Sequence, residues 1–354
     1  MTHPFQFSAD NFASNIPLPP GTESPRDEFL KALEQENTDL FHSSVASIDG
    51  ALALLATGRL EQSYVLLMQA FEIALKGVLD SATQHRDAAW MARHPVIAQR
   101  LPDAERVTRE KQTRDKICKK TLGSAFDEAH ELLRFSSEPT RNFERVRKVR
   151  NRIMHAGGSV RRKSKCASQL VTSILPLFDE LFTGLINRPL ADLIGHRVAR
   201  ELIVAGRWFH SDESDHDDWQ IAFRPFAAAW FYENPTNLGL PGRIEGEGEY
   251  NTTSEKLENL WYRFLHDRLE DHRLQQVTCH ICGEPAWIFC EYELRGGPDD
   301  PSIPVSAITC THCGLTLKED DRGMAELHYG PITPETDGPQ VADLFEHLLA
   351  CQDN

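Results

Sequence analysis

Residues 150–155 read Arg150-Asn151-Arg152-Ile153-Met154-His155: a permanent cation, an amide and a titratable imidazole within six positions. On a helix Asn151 and His155, four apart, share one face, and Arg150 stands one position around from Asn151. Gly157-Gly158 follows and caps such a helix, so the imidazole falls in its last turn. There the helix dipole favours the protonated ring, while the neighbouring arginines oppose it. That balance suits proton transfer near neutral pH. Cleaving RNA without a metal needs a base for the 2′-hydroxyl proton, an acid for the leaving 5′-oxygen and a cation for the charge developing on the phosphoryl oxygens. His155 serves as base or acid, Arg150 as the clamp, and Asn151 as a donor or as the group that orients the ring. One helix supplies one His; two copies across a two-fold axis supply both acid and base. The plainer reading of the same residues is a solvated helix end whose His caps carbonyls.

A second constellation lies near the C-terminus. Cys279-His280-Ile281-Cys282-Gly283 and Cys310-Thr311-His312-Cys313-Gly314 are two Cys-x-x-Cys-Gly knuckles. Each bends the backbone so that two thiolates face one ion, and its Gly takes the tight turn. Together Cys279, Cys282, Cys310 and Cys313 make the closed tetrahedral site of a structural zinc, as in a zinc ribbon, with no position left for a catalytic water. His280, His312 and Cys290 are substitute ligands of lesser fit. Between the knuckles, Trp287–Tyr292 and Ile308–Thr309 read as a β-hairpin. Cys118, Cys166 and Cys351 are scattered thiols.

The elements that must position these groups follow from periodicity. Residues 1–25, rich in Pro, Ser, Thr and Asn, read as a disordered arm. A helix begins at Ser24-Pro25 and runs to Gly58; the next, about 59–80, has an apolar face of Leu60, Tyr64, Leu67, Met68, Phe71, Leu75 and Leu79. Residues 84–121 read as a helix and loop with a basic cluster that includes Arg106, Arg109, Lys111, Arg114, Lys116, Lys119 and Lys120. Further helices are expected at about 122–135, 139–156, 164–187, 190–205 and 253–276, and no strand alternation appears before residue 200. The expected class is mainly α: a helical bundle over 26–190, a mixed connecting region over 191–276, and a small α+β region over 277–354 with the ribbon and a C-terminal helix.

The chain of 354 residues carries a net charge of −15 and a mean hydropathy of −0.42. That is unfavourable for binding nucleic acid over the whole surface. Residues 138–165, however, hold ten cations against Glu138 and Glu144, a net of +8, and such a stripe steers a polyanion to one place. Arg147, Lys148, Arg152, Arg161 and Arg162 are the candidate RNA-binding residues. The plainer reading of the run is a solvated helix face. No apolar run long enough to cross a bilayer is apparent and the N-terminus lacks a signal-peptide layout, so a cytoplasmic protein without a membrane partner is expected. The absence of a Ser-His-Asp elbow, a P-loop and a Gly-x-Gly-x-x-Gly fingerprint argues against ATP hydrolysis and hydride transfer.

Arg-Asn-x-x-x-His at a helix end resembles the Arg-x4–6-His signature of HEPN domains, compact helical modules. Ser63–Lys76, with its Glu72-x-x-x-Lys76 ending, is similar to the apolar core helix of that family. The resemblance covers roughly residues 25–190. It implies a HEPN-like bundle and a dimeric, metal-independent endoribonuclease with catalytic Arg150, Asn151 and His155. The products would be a 2′,3′-cyclic phosphate and a 5′-hydroxyl. It further implies a toxin or anti-phage setting in which a regulatory protein or ligand gates activity. Structural zinc is then the one metal expected. The alternative is a non-catalytic adaptor, or a nucleic-acid-binding regulator, built from the same two parts.

Overall fold

The computed structural model describes residues 23–36, 38–84, 88–100, 114–156, 163–210, 219–234, 272–291, 305–310, 313, 315–317 and 322–329. The chain divides into two compact units, Met1–Gly206 with Glu213–Trp219, and Arg207–Asp212 with Gln220–Asn354. The first is helical and the second contains the strands, so the class is mainly α as expected.

In the first unit the helices are α1 (Pro25–Glu34), α2 (Asp39–Ala56), α3 (Leu60–Gln84), α4 (Ala88–Arg93), α5 (Pro95–Ala98), α6 (Arg114–Cys118), α7 (Leu122–Leu133), α8 (Ser137–Ala156), α9 (Lys163–Ile186), α10 (Leu190–Ile194) and α11 (His196–Trp208), whose last two residues lie in the second unit. The expected run from 25 to 58 is two helices. Thr38, extended at φ −135°, accepts the Leu40 N–H and starts α2 afresh, as a capping hydroxyl does. The expected helix over 190–205 is likewise broken, at Gly195 with φ 94°.

Helix α3 is the pillar of this unit. Leu60, Tyr64, Leu67, Met68, Phe71, Leu75 and Leu79 are all buried, and α2, α6, α7, α8 and α9 pack on it. Helix α2 comes so close that a Cβ at Gly77 would stand 2.8 Å from the Phe41 ring. Phe71 sits at the hub, 5.2 Å edge-on from Phe178 and 6.3–6.4 Å from Phe126, Phe135 and Phe143. Polar groups also tie the pillar. The Tyr64 hydroxyl lies 3.2 Å from the Val146 carbonyl oxygen and 3.1 Å from Gln169 Oε1, joining α3 to α8 and α9.

Helix α9 contains a π turn, Leu170–Ile174. Pro176, two residues later, lacks the N–H that would bond Thr172, and the widened turn accommodates its ring. By length and composition α9 alone among the described residues passes for a membrane span, unlike the sequence expectation. Its apolar window is 61% buried among neighbouring helices, which is how a core helix looks.

A buried polar knot fastens the short helices α4 and α5. The Glu36 carboxylate, 1% exposed, accepts from Ser81 Oγ at 2.6 Å and Trp90 Nε1 at 3.3 Å, and pairs with His94 Nε2 at 2.8 Å. Burial pushes this carboxyl up, but His94, Ser81 and Trp90 more than offset it and hold it below its ordinary value of 4.5.

In the second unit, α12 (Trp219–Glu233), whose first residue is assigned to the first unit, precedes an antiparallel sheet β1-β2-β3-β4, with β1 His272–Thr278, β2 Pro285–Glu291, β3 Val305–Thr309 and β4 Thr316–Leu317. The expected hairpin forms, with Trp287 opposite Thr309 and Ile288 opposite Ile308. The helix expected over 253–276 is corrected at its end: 272–276 are strand, paired to β2 from His272↔Glu291 onward. Pairing with β2 overrides local helical periodicity there; 253–271 lie outside the described residues. Helix α13 (Arg322–Tyr329) packs on β3.

Two outcomes test this packing. Phe71→Ala should cost about 3–5 kcal/mol in denaturant unfolding, the usual cost of emptying a core aromatic site; a loss under about 1 kcal/mol would show that the hub is not shared. For Glu36, a lowered folded pKa means stabilisation that is present above the unfolded value and lost as pH falls through the folded one. Glu36→Gln should therefore be less stable than wild type at pH 7, with the gap closing below about pH 4.5. A gap that stays constant with pH would contradict the knot's charge.

Candidate active site and metal centre

Helix α8 presents two faces. Phe143 and Val146 are buried against the bundle, while Arg145, Lys148, Asn151 and Arg152 are exposed. The described part of the helix runs to Ala156; Gly157 and Gly158, the expected cap, lie outside the described residues. His155 lies in the last turn of α8; its side chain is outside the described residues, as are Arg161 and Arg162.

Arg150 turns inward, to 19% exposure, and reaches α3, where its Nη2 stands 3.6 Å from Glu72 Oε2. Glu72 Oε1 accepts from Lys76 at 2.8 Å, and Lys76 also donates to the Cys118 carbonyl oxygen at 3.0 Å. One carboxylate thus serves two cations, the closer being Lys76. Arg150 Nη1 donates to Asn151 Oδ1 at 3.0 Å. Its Nε is buried, with no hydrogen-bond partner among the described residues. The two segments singled out in the sequence, the Glu72-x-x-x-Lys76 pair and Arg150-Asn151, therefore meet in space. The Glu72–Lys76 spacing was visible locally; the link to Arg150, far along the chain, had no local signal.

Arg147 pairs with Glu144 at 2.8 Å, and its Nη1 lies 2.8 Å from where a Cβ on Gly123 would stand. That glycine lets the start of α7 tuck beneath the guanidinium. Lys148 and Arg152 project outward as candidate RNA-binding residues. Of the second basic cluster, Arg114 pairs with Asp39 at 3.1 Å and Lys120 with Glu128; Arg106, Arg109 and Lys111 lie outside the described residues. Cys166, on α9, is buried, and burial with Glu61 nearby pushes its thiol up to about 11 against the pull of Arg152 and Lys165. It is no thiolate nucleophile at neutral pH.

The four knuckle cysteines converge in the second unit. Their sulfurs all lie within 4.8 Å of one another, with Cys282–Cys310 at 3.6 Å and Cys279–Cys313 at 3.7 Å. Four sulfurs held ~2.3 Å from a central ion form a tetrahedron with edges of about 3.8 Å, whereas a disulfide needs about 2.05 Å. The cluster fits a metal ion. Backbone bonds shape each knuckle: Cys279 N–H to the Glu284 carbonyl and Cys310 N–H to the Leu315 carbonyl, both 2.8 Å. Gly283, at φ 79°, takes the left-handed turn.

A brace on the first knuckle had no local signal in the sequence. Tyr329 Oη on α13 lies 2.7 Å from His280 Nδ1 and accepts the His280 backbone N–H at 3.2 Å, and the His280 and His328 rings stack at 4.0 Å. Burial raises the Tyr329 hydroxyl above its ordinary value, so it remains a neutral hydroxyl at physiological pH. His280 is thus engaged by α13, which sets it apart from the four sulfurs as a ligand.

The chain matches none of the protein-family models, curated proteins or solved structures with which it was compared.

Cys310→Ser should abolish tight metal binding in elemental analysis and loosen the β1–β4 sheet. The helical unit, which has its own core, should keep its far-ultraviolet signal. Retained stoichiometric metal in that variant would show that a different donor set holds it.

Proposed function

We propose that the chain is a metal-independent endoribonuclease of HEPN type, with a structural zinc held by Cys279, Cys282, Cys310 and Cys313. The observation that carries this reading is the setting of Arg150. A guanidinium four-fifths buried, with one N–H lacking an acceptor among the described residues, costs about 1–3 kcal/mol. A helix end with only a structural role has no reason to carry that cost, whereas a site that must hold a cation in place does. Glu72 and Lys76 add support, because the two sequence segments that resemble the family share one carboxylate.

In this mechanism His155 removes the 2′-hydroxyl proton and the 2′-oxygen attacks phosphorus. The bond to the 5′-oxygen breaks, leaving a 2′,3′-cyclic phosphate, and the partner's His155 gives the leaving oxygen its proton. Arg150 offsets the charge on the phosphoryl oxygens. Asn151, whose Oδ1 already accepts from Arg150, retains its Nδ2 donors for the ring or the substrate. Two copies of the chain therefore make one complete site. A reducing cytoplasm keeps the four thiols available for zinc, and the family resemblance points to a toxin or anti-phage effector gated by a regulatory protein or ligand.

The Glu72 contact also favours the second reading, a non-catalytic adaptor, because a carboxylate beside Arg150 lowers the net charge available to a phosphate. Rates of RNA cleavage separate the two. His155→Ala should lower the rate by about 10²–10⁴. Arg150→Lys should also be slow, because an ammonium cannot make the planar two-donor contact. EDTA should change little over short incubations. Full activity in both variants, or an inactive wild type, would leave the adaptor reading in place.

A further inference from the structure

We propose that the outer wall of α8 is the floor of a track for one RNA strand. It crosses from the α6–α7 corner, at Lys119, to the first turn of α9, at Lys165. The proposal rests on the ribonuclease reading for the identity of the polyanion.

The charge pattern of the first unit carries it. Cations around the pillar are already matched: Lys76 with Glu72, Lys120 with Glu128, Arg147 with Glu144 and Arg114 with Asp39. By contrast Lys119, Arg145, Lys148, Arg152 and Lys165 are all exposed, and none forms an ion pair among the described residues. Like charges crowded on one face repel, so the cluster is costly unless an external anion covers it.

The positions of these cations make a continuous path. At 100° per residue, Arg145, Lys148 and Arg152 fall within about 60° of one another, on the side of α8 away from Phe143 and Val146, and span about 10 Å of rise. On one flank Arg147 reaches over Gly123 at the start of α7, four residues after Lys119. On the other flank, Arg152 and Lys165 both act on the Cys166 thiol, against the one carboxylate Glu61. Asn151 and the last turn of α8, which carries His155, lie between the flanks. A strand crossing here would pass its phosphates over the turn that holds the proposed base.

A single strand fits better than a duplex. The cations sit on the convex outer surface of one helix and its two shoulders, so they follow one backbone, and the described part of the surface offers no paired row of cations for a second strand.

The test is the salt dependence of binding to a fluorescent 12-nucleotide 2′-O-methyl uridine strand, which lacks the free 2′-hydroxyl and so resists cleavage by 2′-attack. The full-length chain is used. The double variant Lys119→Gln/Lys165→Gln removes the two ends of the track at exposed positions. It should lower the log–log salt slope by about 1.4, at about 0.7 per lost phosphate contact, and weaken binding by roughly fivefold per contact near 0.1 M salt. Lys148→Gln/Arg152→Gln, through the middle, should do the same, while Lys31→Gln on α1 should change nothing. An unchanged slope in both double variants overturns the track, as does a wild type that fails to bind. So would tighter binding to a 12-base-pair DNA duplex or to phosphatidylserine vesicles, which would assign the patch to another polyanion. Binding lost through these lysines in a chain that cleaves no RNA keeps the track and removes the nuclease. Cleavage with unchanged binding in the variants does the reverse.

Discussion

Helix α3 must be apolar almost all round, because five other helices of the first unit close on it, and yet it must carry Glu72 and Lys76 at its edge. The rest of the helical unit follows from that constraint. Phe71 and Leu75 face the aromatic hub, Gly77 admits Phe41, and the charged pair lies where α6 and α8 arrive. A charged pair this close to a core is stable only when each group finds partners. Lys76 finds the Cys118 carbonyl oxygen, and Glu72 finds Arg150. The cation on α8 is thus positioned by the pillar as much as by its own helix.

How much of this was legible from the sequence depended on how local each signal is. The face of α3 and the cap at Ser24 before α1 are short-range patterns, and the structure has them. The knuckles are short-range too, since Cys-x-x-Cys-Gly encodes its own turn; hence all four sulfurs converge. What was hidden is long-range. Nothing near Arg150 announces Glu72, nothing near His280 announces Tyr329, and nothing near Glu36 announces Ser81, Trp90 and His94. Strand β1 was misread as part of a helix because its partner, β2, lies beyond the Cys279–Cys282 knuckle, so its pairing could not be seen in its own residues. The break at Thr38 was missed because the apolar spacing continues across it while the backbone does not.

The two units hold their chemistry in different ways. The thiols converge on backbone turns braced by α13, so a metal ion and local folding reinforce one another. On α8 no metal-ligand set lies at the proposed site among the described residues. A guanidinium, an amide and the last turn of a helix are arranged beside a field of unmatched cations. Under the proposed function the overall charge of −15 has a use, since net negative charge disfavours RNA binding away from that field.

The most direct measurement is the chemical identity of the ends left on RNA after incubation with the purified full-length chain in excess EDTA. Proton transfer by His155 without a metal-bound water predicts 2′,3′-cyclic phosphate and 5′-hydroxyl ends. Cleavage that requires a divalent ion and leaves 5′-phosphate ends would contradict it.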